Sequence, residues 1–247
     1  MSFKDHFSTA SASYAAYRPT YPTALVDYLA SLCAKPEIAL DVGCGTGQLS
    51  VLLAERFEHV IATDASPQQI EKAERRGRVE YRVASAENSG LPAASVDLIT
   101  AAQAAHWFDL AAFYAEVRRV GKPGANLALI TYGVVQADSD IDATIQHFYK
   151  DVVGPYWPPE RRHVEEGYRS FDFPFEELVA PPLTIEVEWR ASDLIGYADT
   201  WSAVRGAEKA LGREPIDRFA RDLVSAWGDP ERRRRIRFPL ALRVGRL

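Results

Sequence analysis

The chain has 247 residues, 47% of them hydrophobic, with a formal net charge of −5 and an isoelectric point near 5.6. That apolar content supplies a buried core and excludes a disordered chain. The acidic balance excludes a general attraction for nucleic acid or anionic membrane, and two cysteines, Cys33 and Cys44, exclude a disulfide scaffold.

Residues 1–21 are polar and aromatic without an apolar leader run, and no stretch approaches the ~18 apolar residues of a membrane-spanning helix. A cytoplasmic protein is expected. Residues 1–35 are read as an N-terminal cap segment and helix. From 38 onward, short β-rich runs alternate with helical patterns, which predicts βαβ units and a parallel sheet. The run 38–42 ends in a glycine-rich loop, and Leu49, Leu52, Leu53 and Phe57 then recur on one helical face. A strand at 60–63 follows, then a helix capped by Ser66 with Pro67 at its first position. Strands are predicted at 79–83 and 96–101, a helix with Leu110, Phe113, Val117 and Val120 on one face, and a fifth strand at 125–131.

Residues 133–182 change character, with a helical pattern through Ile141, Ile145 and Phe148 and then an aromatic, proline-rich stretch at 155–159. They are read as a lid or substrate-facing insertion. The remainder, 183–247, completes the sheet with strands at 183–189 and 236–244 and helical segments around 194–204 and 216–227. The expected fold is therefore α/β: a Rossmann-like, mostly parallel sheet of seven strands flanked by helices, with an insertion after the fifth.

The loop DVGCGTG at 41–47 sits between a strand and a helix, where open parallel sheets bind ligands. Glycines let backbone approach a ligand and take positive φ at little cost, and the following helix turns free N–H groups toward the loop. Asp64 ends the second strand about 20 residues on, where an acid can hold both ribose hydroxyls. A dinucleotide fingerprint would place its third glycine at position 48, which is Gln48.

The alternation of Gly43, Gly45 and Gly47 instead closely resembles the first motif of class I S-adenosylmethionine-dependent methyltransferases. The resemblance covers residues 36–132, read as the cofactor-binding core. It implies S-adenosylmethionine as cofactor, with Asp41, Gly43, Gly45, Gly47 and Asp64 in its site. The segment 84–92 resembles the family's adenine-packing stretch, which places Ala86 and Glu87 at the adenine. Residues 101–109 resemble the loop after the fourth strand, where cofactor and substrate meet, and bring in Gln103. The turn at 119–124 is similar as well, with Gly121 where the family usually has leucine.

Three further stretches, at 14–22, 103–108 and 200–202, look like the type 11, trans-aconitate-type subfamily. They imply O-methylation of a small carboxylic acid. An acid needs no strong base, since carboxyl pKa values lie near 4, so catalysis by positioning is expected. Tyr17 is assigned to the cofactor and Tyr14 to the substrate, with Arg18 pairing a carboxylate through its planar fork. His106 is a candidate hydrogen-bond donor, or a base for a hydroxyl acceptor. Trp107, Trp157, Arg161, Arg162 and Trp201 are candidate substrate residues, and Tyr168 and Phe171 candidates for lining the same pocket. The competing reading of the insertion is an aromatic core with solvated arginines. The four arginines at 232–235 lack interleaved aromatics and read as a solvated loop, not a nucleic-acid site. Five histidines and two cysteines show no metal-ligand spacing. A nicotinamide-dependent dehydrogenase and a non-catalytic cofactor-binding homologue remain as alternatives.

Overall fold

A computed structural model of the chain describes residues 19–247. The strands are β1 (Ile38–Val42), β2 (His59–Asp64), β3 (Val79–Val83), β4 (Val96–Ala102), β5 (Gly121–Tyr132), β6 (Glu176–Leu178), β7 (Thr184–Trp189) and β8 (Arg234–Arg246). Their order is β3-β2-β1-β4-β5-β8-β6, with β7 also paired to β8. Pairings through β5 are parallel, and those made by β8 are antiparallel. β1 lies between β2 and β4, so the strand order reverses there and opens a crevice beyond the carboxyl ends of β1 and β4.

The helices are α1 (Thr23–Ser31), α2 (Gln48–Leu53), α3 (Pro67–Glu71), α4 (Leu110–Val120), α5 (Ser139–His147), α6 (Arg161–Glu165), α7 (Ala191–Asp199), α8 (Ser202–Leu211) and α9 (Glu214–Trp227). Ser66 caps α3 by accepting from the Gln69 amide at 3.4 Å, and Pro67 occupies the first helical position. Asp109 caps α4 through the Ala112 amide at 3.2 Å. No described helix is long and apolar enough to cross a membrane.

Alternation along the strands divides the core between the two faces of the sheet. On one face Leu98, Ala128 and Ile130 meet α1, α2, α5 and α9 through Leu25, Leu53, Ile145 and Phe219. On the other, Leu40, Ile99, Leu127 and Leu129 meet Phe113, Val117 and Tyr168. Being covered on both faces, β1 and β2 are buried along nearly their whole length.

Two sequence expectations change. The helical pattern around 194–204 divides into α7 and α8. The Thr200 hydroxyl donates to the Tyr197 carbonyl at 2.6 Å, and Trp201 takes an extended conformation, φ −67° and ψ 138°. The sheet also gains a strand, β6, inside the insertion, paired over three residues with the end of β8. Too short to show a period, it exists because β8 offers an edge.

The segment after β3 is tied to α4 by Glu116, which is only 7% exposed. Its carboxylate accepts from Arg119 Nε at 2.6 Å, Ser89 Oγ at 2.6 Å and the Ser89 amide at 2.8 Å. Arg119 first, then the Ser89 donors, hold the carboxyl down at about 2 against the opposing effect of burial. A lowered folded pKa stabilises the fold above the ordinary carboxyl range and loses that contribution as pH falls toward about 2. Thermal melts of Glu116→Gln should therefore show reduced stability at neutral pH and a flatter loss of stability between pH 4.5 and 2 than wild type. An unchanged acid limb would remove Glu116 from that role.

Candidate active site

Between β1 and α2 the backbone is left-handed at Gly43, Gly45 and Gly47, with φ of +66°, +56° and +88°. Two of these glycines are required by neighbours. A Cβ at Gly43 would lie 2.6 Å from Ala104 Cβ, and one at Gly47 would lie 2.1 Å from Tyr81 Oη. Gly45 differs, since a Cβ there would meet only Gln69 Oε1 at 4.0 Å. The loop thus presents bare backbone to the crevice at Gly45.

Asp64 stands at the rim. Its Oδ2 accepts from the Gly45 amide at 2.9 Å and its Oδ1 from the Ser66 amide at 2.8 Å, so it joins the loops that follow β1 and β2. Asp41 is placed otherwise than the sequence reading expected. It is 1% exposed and faces inward, accepting from Ser50 Oγ at 2.6 Å and Thr100 Oγ1 at 2.8 Å. Burial pushes its carboxyl up to about 6, the two hydroxyls oppose the rise, and the nearby Asp64 charge adds to it. Its side chain fastens the ends of β1, α2 and β4 together and does not reach the crevice.

Ala86 is buried on the α4 face, and the adjacent Glu87 accepts from the Asp109 amide at 3.1 Å at the start of α4. The loop after β4 has the glycine loop on one side, through Ala104 and Phe108 against Gly43. On its other side lies a cavity of about 100 Å³ to which it contributes Gln103, His106 and Trp107. Gln103 is a non-glycine residue at φ +55°, a conformation costing about 1 kcal/mol. Its side-chain amide spans to β5, donating to the Tyr132 carbonyl at 3.0 Å and accepting from Thr131 Oγ1 at 3.1 Å. Gln103 therefore faces the second cavity, and its amide is engaged by β5.

The far wall of the cavity is aromatic. Trp201 lies edge-on to Tyr149 (5.4 Å, 84°) and Tyr197 (5.8 Å, 89°), and 5.8 Å from Trp157. Arg161 lies 4.8 Å from the Trp157 ring and donates from Nε to Tyr149 Oη at 2.7 Å. The Tyr149 hydroxyl in turn donates to Glu165. Arg205 also lines the cavity. Arg162 does not join them: its side chain is 75% exposed and paired with Glu166 at 2.6 Å, one helical turn on. Tyr168 lies below the cavity, fully buried, with Phe171 stacked on it at 4.9 Å. Tyr14, Tyr17 and Arg18 lie outside the described residues. No cluster of metal-ligating side chains occurs among those that are described.

Residues 40–129 match the family model of a methyltransferase domain, type 11. A Dictyostelium discoideum protein named as a methyltransferase is 36% identical over 229 residues, covering 91% of this chain and 87% of its own. The chain belongs to the class I, type 11 S-adenosylmethionine-dependent methyltransferases. A solved structure from Anaeromyxobacter dehalogenans, described as a type II methyltransferase, superposes with a TM-score of 0.90 at 50% identity. It covers 93% of this methyltransferase and 98% of its own chain. A Mycobacterium tuberculosis methyltransferase of uncharacterised activity is 38% identical over 127 residues, about half of each chain.

Family membership sets the nicotinamide reading aside and makes S-adenosylmethionine the cofactor of this methyltransferase. The open face at Gly45 and the acid at the rim fit such a ligand. Arg205, Tyr149 and Tyr197 went unread in the sequence. Arg205 lies four residues beyond Trp201, in the first turn of α8, where its amide donates to the Trp201 carbonyl at 3.4 Å.

The glycines separate two effects. Gly47→Ala should melt well below wild type, because Tyr81 must move. Gly45→Ala should keep most of the stability, losing about 1–2 kcal/mol to its positive φ, yet bind S-adenosylhomocysteine at least ~10-fold more weakly, or about 1.4 kcal/mol. Melting curves and calorimetric titration of both variants check this. Equal cofactor affinity in wild type and Gly45→Ala would move the ligand off the loop.

Proposed function

We propose that this methyltransferase esterifies a carboxylate of a small organic acid. The observation that carries the reading is Arg161, held in orientation by Trp157 and Tyr149 on a cavity shared with Arg205 and walled by aromatics. A guanidinium has five N–H donors, and only Nε is spent on Tyr149. Such a fork matches a carboxylate, and the aromatic walls match a flat or apolar body. A space of about 100 Å³ suits an acid of a few heavy atoms and lies well below drug-sized pockets. Glu165 lies 3.9 Å from Arg161 Nε and steadies the guanidinium.

When bound, S-adenosylmethionine supplies a methyl group on positively charged sulfur, open to attack by an anionic oxygen. In this proposal Asp64 holds the ribose hydroxyls, the backbone at Gly45 packs on the methionine part, and Ala86 and Glu87 border the adenine. Arg161 turns one carboxylate oxygen toward the loop after β4, where His106 and Trp107 set its approach. Alignment to about 3 Å is the main contribution, because the acceptor is ionised without help at neutral pH. The small cavity and the acidic surface favour neither a nucleic-acid nor a membrane acceptor.

Titration of wild type with S-adenosylhomocysteine should give micromolar-scale binding, about −8 kcal/mol, and Asp64→Ala should weaken it by more than ~10-fold, about 1.4 kcal/mol. A screen of small carboxylic acids with methyl-labelled cofactor should yield base-labile methyl esters. With the best acid, Arg161→Ala should raise KM by at least ~10-fold, consistent with loss of a charge-assisted pair, and Arg161→Lys should restore it only in part. Turnover confined to amines or alcohols would sink the carboxylate assignment.

A further inference from the structure

We infer that Tyr168 is a positioning residue that holds His106 as its Nε2–H tautomer, so that His106 offers an acceptor a hydrogen and not a lone pair. Tyr168 Oη lies 2.9 Å from His106 Nδ1, with the two rings 6.0 Å apart and 29° from parallel. The pair joins the loop after β4 to the chain that follows α6, a separation of 62 residues.

Tyr168 is fixed more firmly than a packing residue needs. It is 0% exposed, and its ring stacks on Phe171 at 14°. Its amide donates to the His163 carbonyl at 2.8 Å, and its carbonyl accepts from Arg243 Nη1 at 2.9 Å. Gly167 and Tyr168 are consecutive left-handed residues, φ +62° and +61°. A Cβ at Gly167 would lie 2.8 Å from Ala241 Cβ, so the turn is specified by its surroundings. A tyrosine at positive φ is a strained choice, and such strain persists where neighbouring contacts over-determine it.

The direction of the hydrogen follows from what lies within hydrogen-bonding reach of the phenolic oxygen. Burial raises the Tyr168 hydroxyl above its ordinary range, so it keeps its hydrogen. Among the described residues the hydrogen-bond partner of Oη is His106 Nδ1 at 2.9 Å, and a buried hydroxyl hydrogen left without an acceptor is costly. The hydrogen on Oη is therefore directed at Nδ1. In the opposite arrangement Nδ1 carries a hydrogen and the buried hydroxyl hydrogen of Tyr168 loses that acceptor.

A histidine with Nδ1 filled and Nε2 protonated cannot remove a proton from the acceptor. It can hydrogen-bond an oxygen that is already anionic. This consequence for the acceptor rests on the carboxylate reading above, whereas the tautomer stands without it.

The test is a long-range ¹H–¹⁵N correlation spectrum of the full chain labelled at its five histidines. It is recorded with and without S-adenosylhomocysteine at about pH 8.5, where an ordinary imidazole is neutral. His106 is assigned by its loss in His106→Gln. The expected pattern is a pyridine-like Nδ1 and a pyrrole-like Nε2, with Tyr168→Phe moving the two shifts toward one another. A protonated Nδ1 in wild type, or an unmoved Nε2–H pattern in folded Tyr168→Phe, overturns the inference. If Tyr168→Phe does not fold, the wild-type pattern decides alone. The expected tautomer with turnover only on alcohols or amines would end the carboxylate reading and leave the role of Tyr168 intact. The opposite tautomer with ester formation would do the reverse.

Discussion

Where the strand order turns around, a carboxylate is sealed inside the protein and three elements meet on it. Asp41 brings β1, Ser50 brings α2 and Thr100 brings β4. A buried charge is tolerable only while its hydrogen bonds are complete, and removing a donor leaves it uncompensated. This couples the crevice to the core: the glycine loop leaves β1 directly after Asp41, and its exit angle is set by the same contact. Asp64 performs the complementary task at the rim, where its oxygens gather the amides of Gly45 and Ser66. Two acids 23 positions apart thus divide the work, one sealed to hold the frame and one joining the loops at its rim.

The loop after β4 depends on that frame. Its beginning is pressed against Gly43, and Gln103 is bent into a left-handed conformation that β5 holds through the side-chain amide. A single short loop therefore serves as the partition between the cofactor crevice and the aromatic cavity. The aromatic side chains opposite come from segments distant in sequence, and they meet because α7 stops at Thr200 and turns Trp201 inward.

How much of this was readable in the amino-acid order depended on range. Strand runs, the cap at Ser66 and the spacing of Gly43, Gly45 and Gly47 are local patterns, and the crevice follows from them with Asp64. Asp41 was placed on the ligand because its neighbours in sequence are there, but strand alternation turns its side chain away. Nothing local distinguishes Arg161 from Arg162. Only the packing of Trp157 and Tyr149 draws one inward and leaves the other to Glu166. The His106–Tyr168 contact and the positive φ at Gln103 and Tyr168 arise from tertiary packing, for which a single sequence carries no periodic signal.

β8 closes a division that runs along the sequence. Residues 38–132 supply both acids, the glycine loop and the five parallel strands, a set that leaves the ribosome in one continuous stretch. The aromatic cavity is not confined to that stretch. Its floor and walls wait for 149, 161, 201 and 205, and the insertion is secured only when β8 pairs with β5, β6 and β7 together. The far wall of the cavity is thus encoded downstream of the cofactor crevice, so substitutions at 149, 161, 201 or 205 can reshape it and leave the crevice residues untouched.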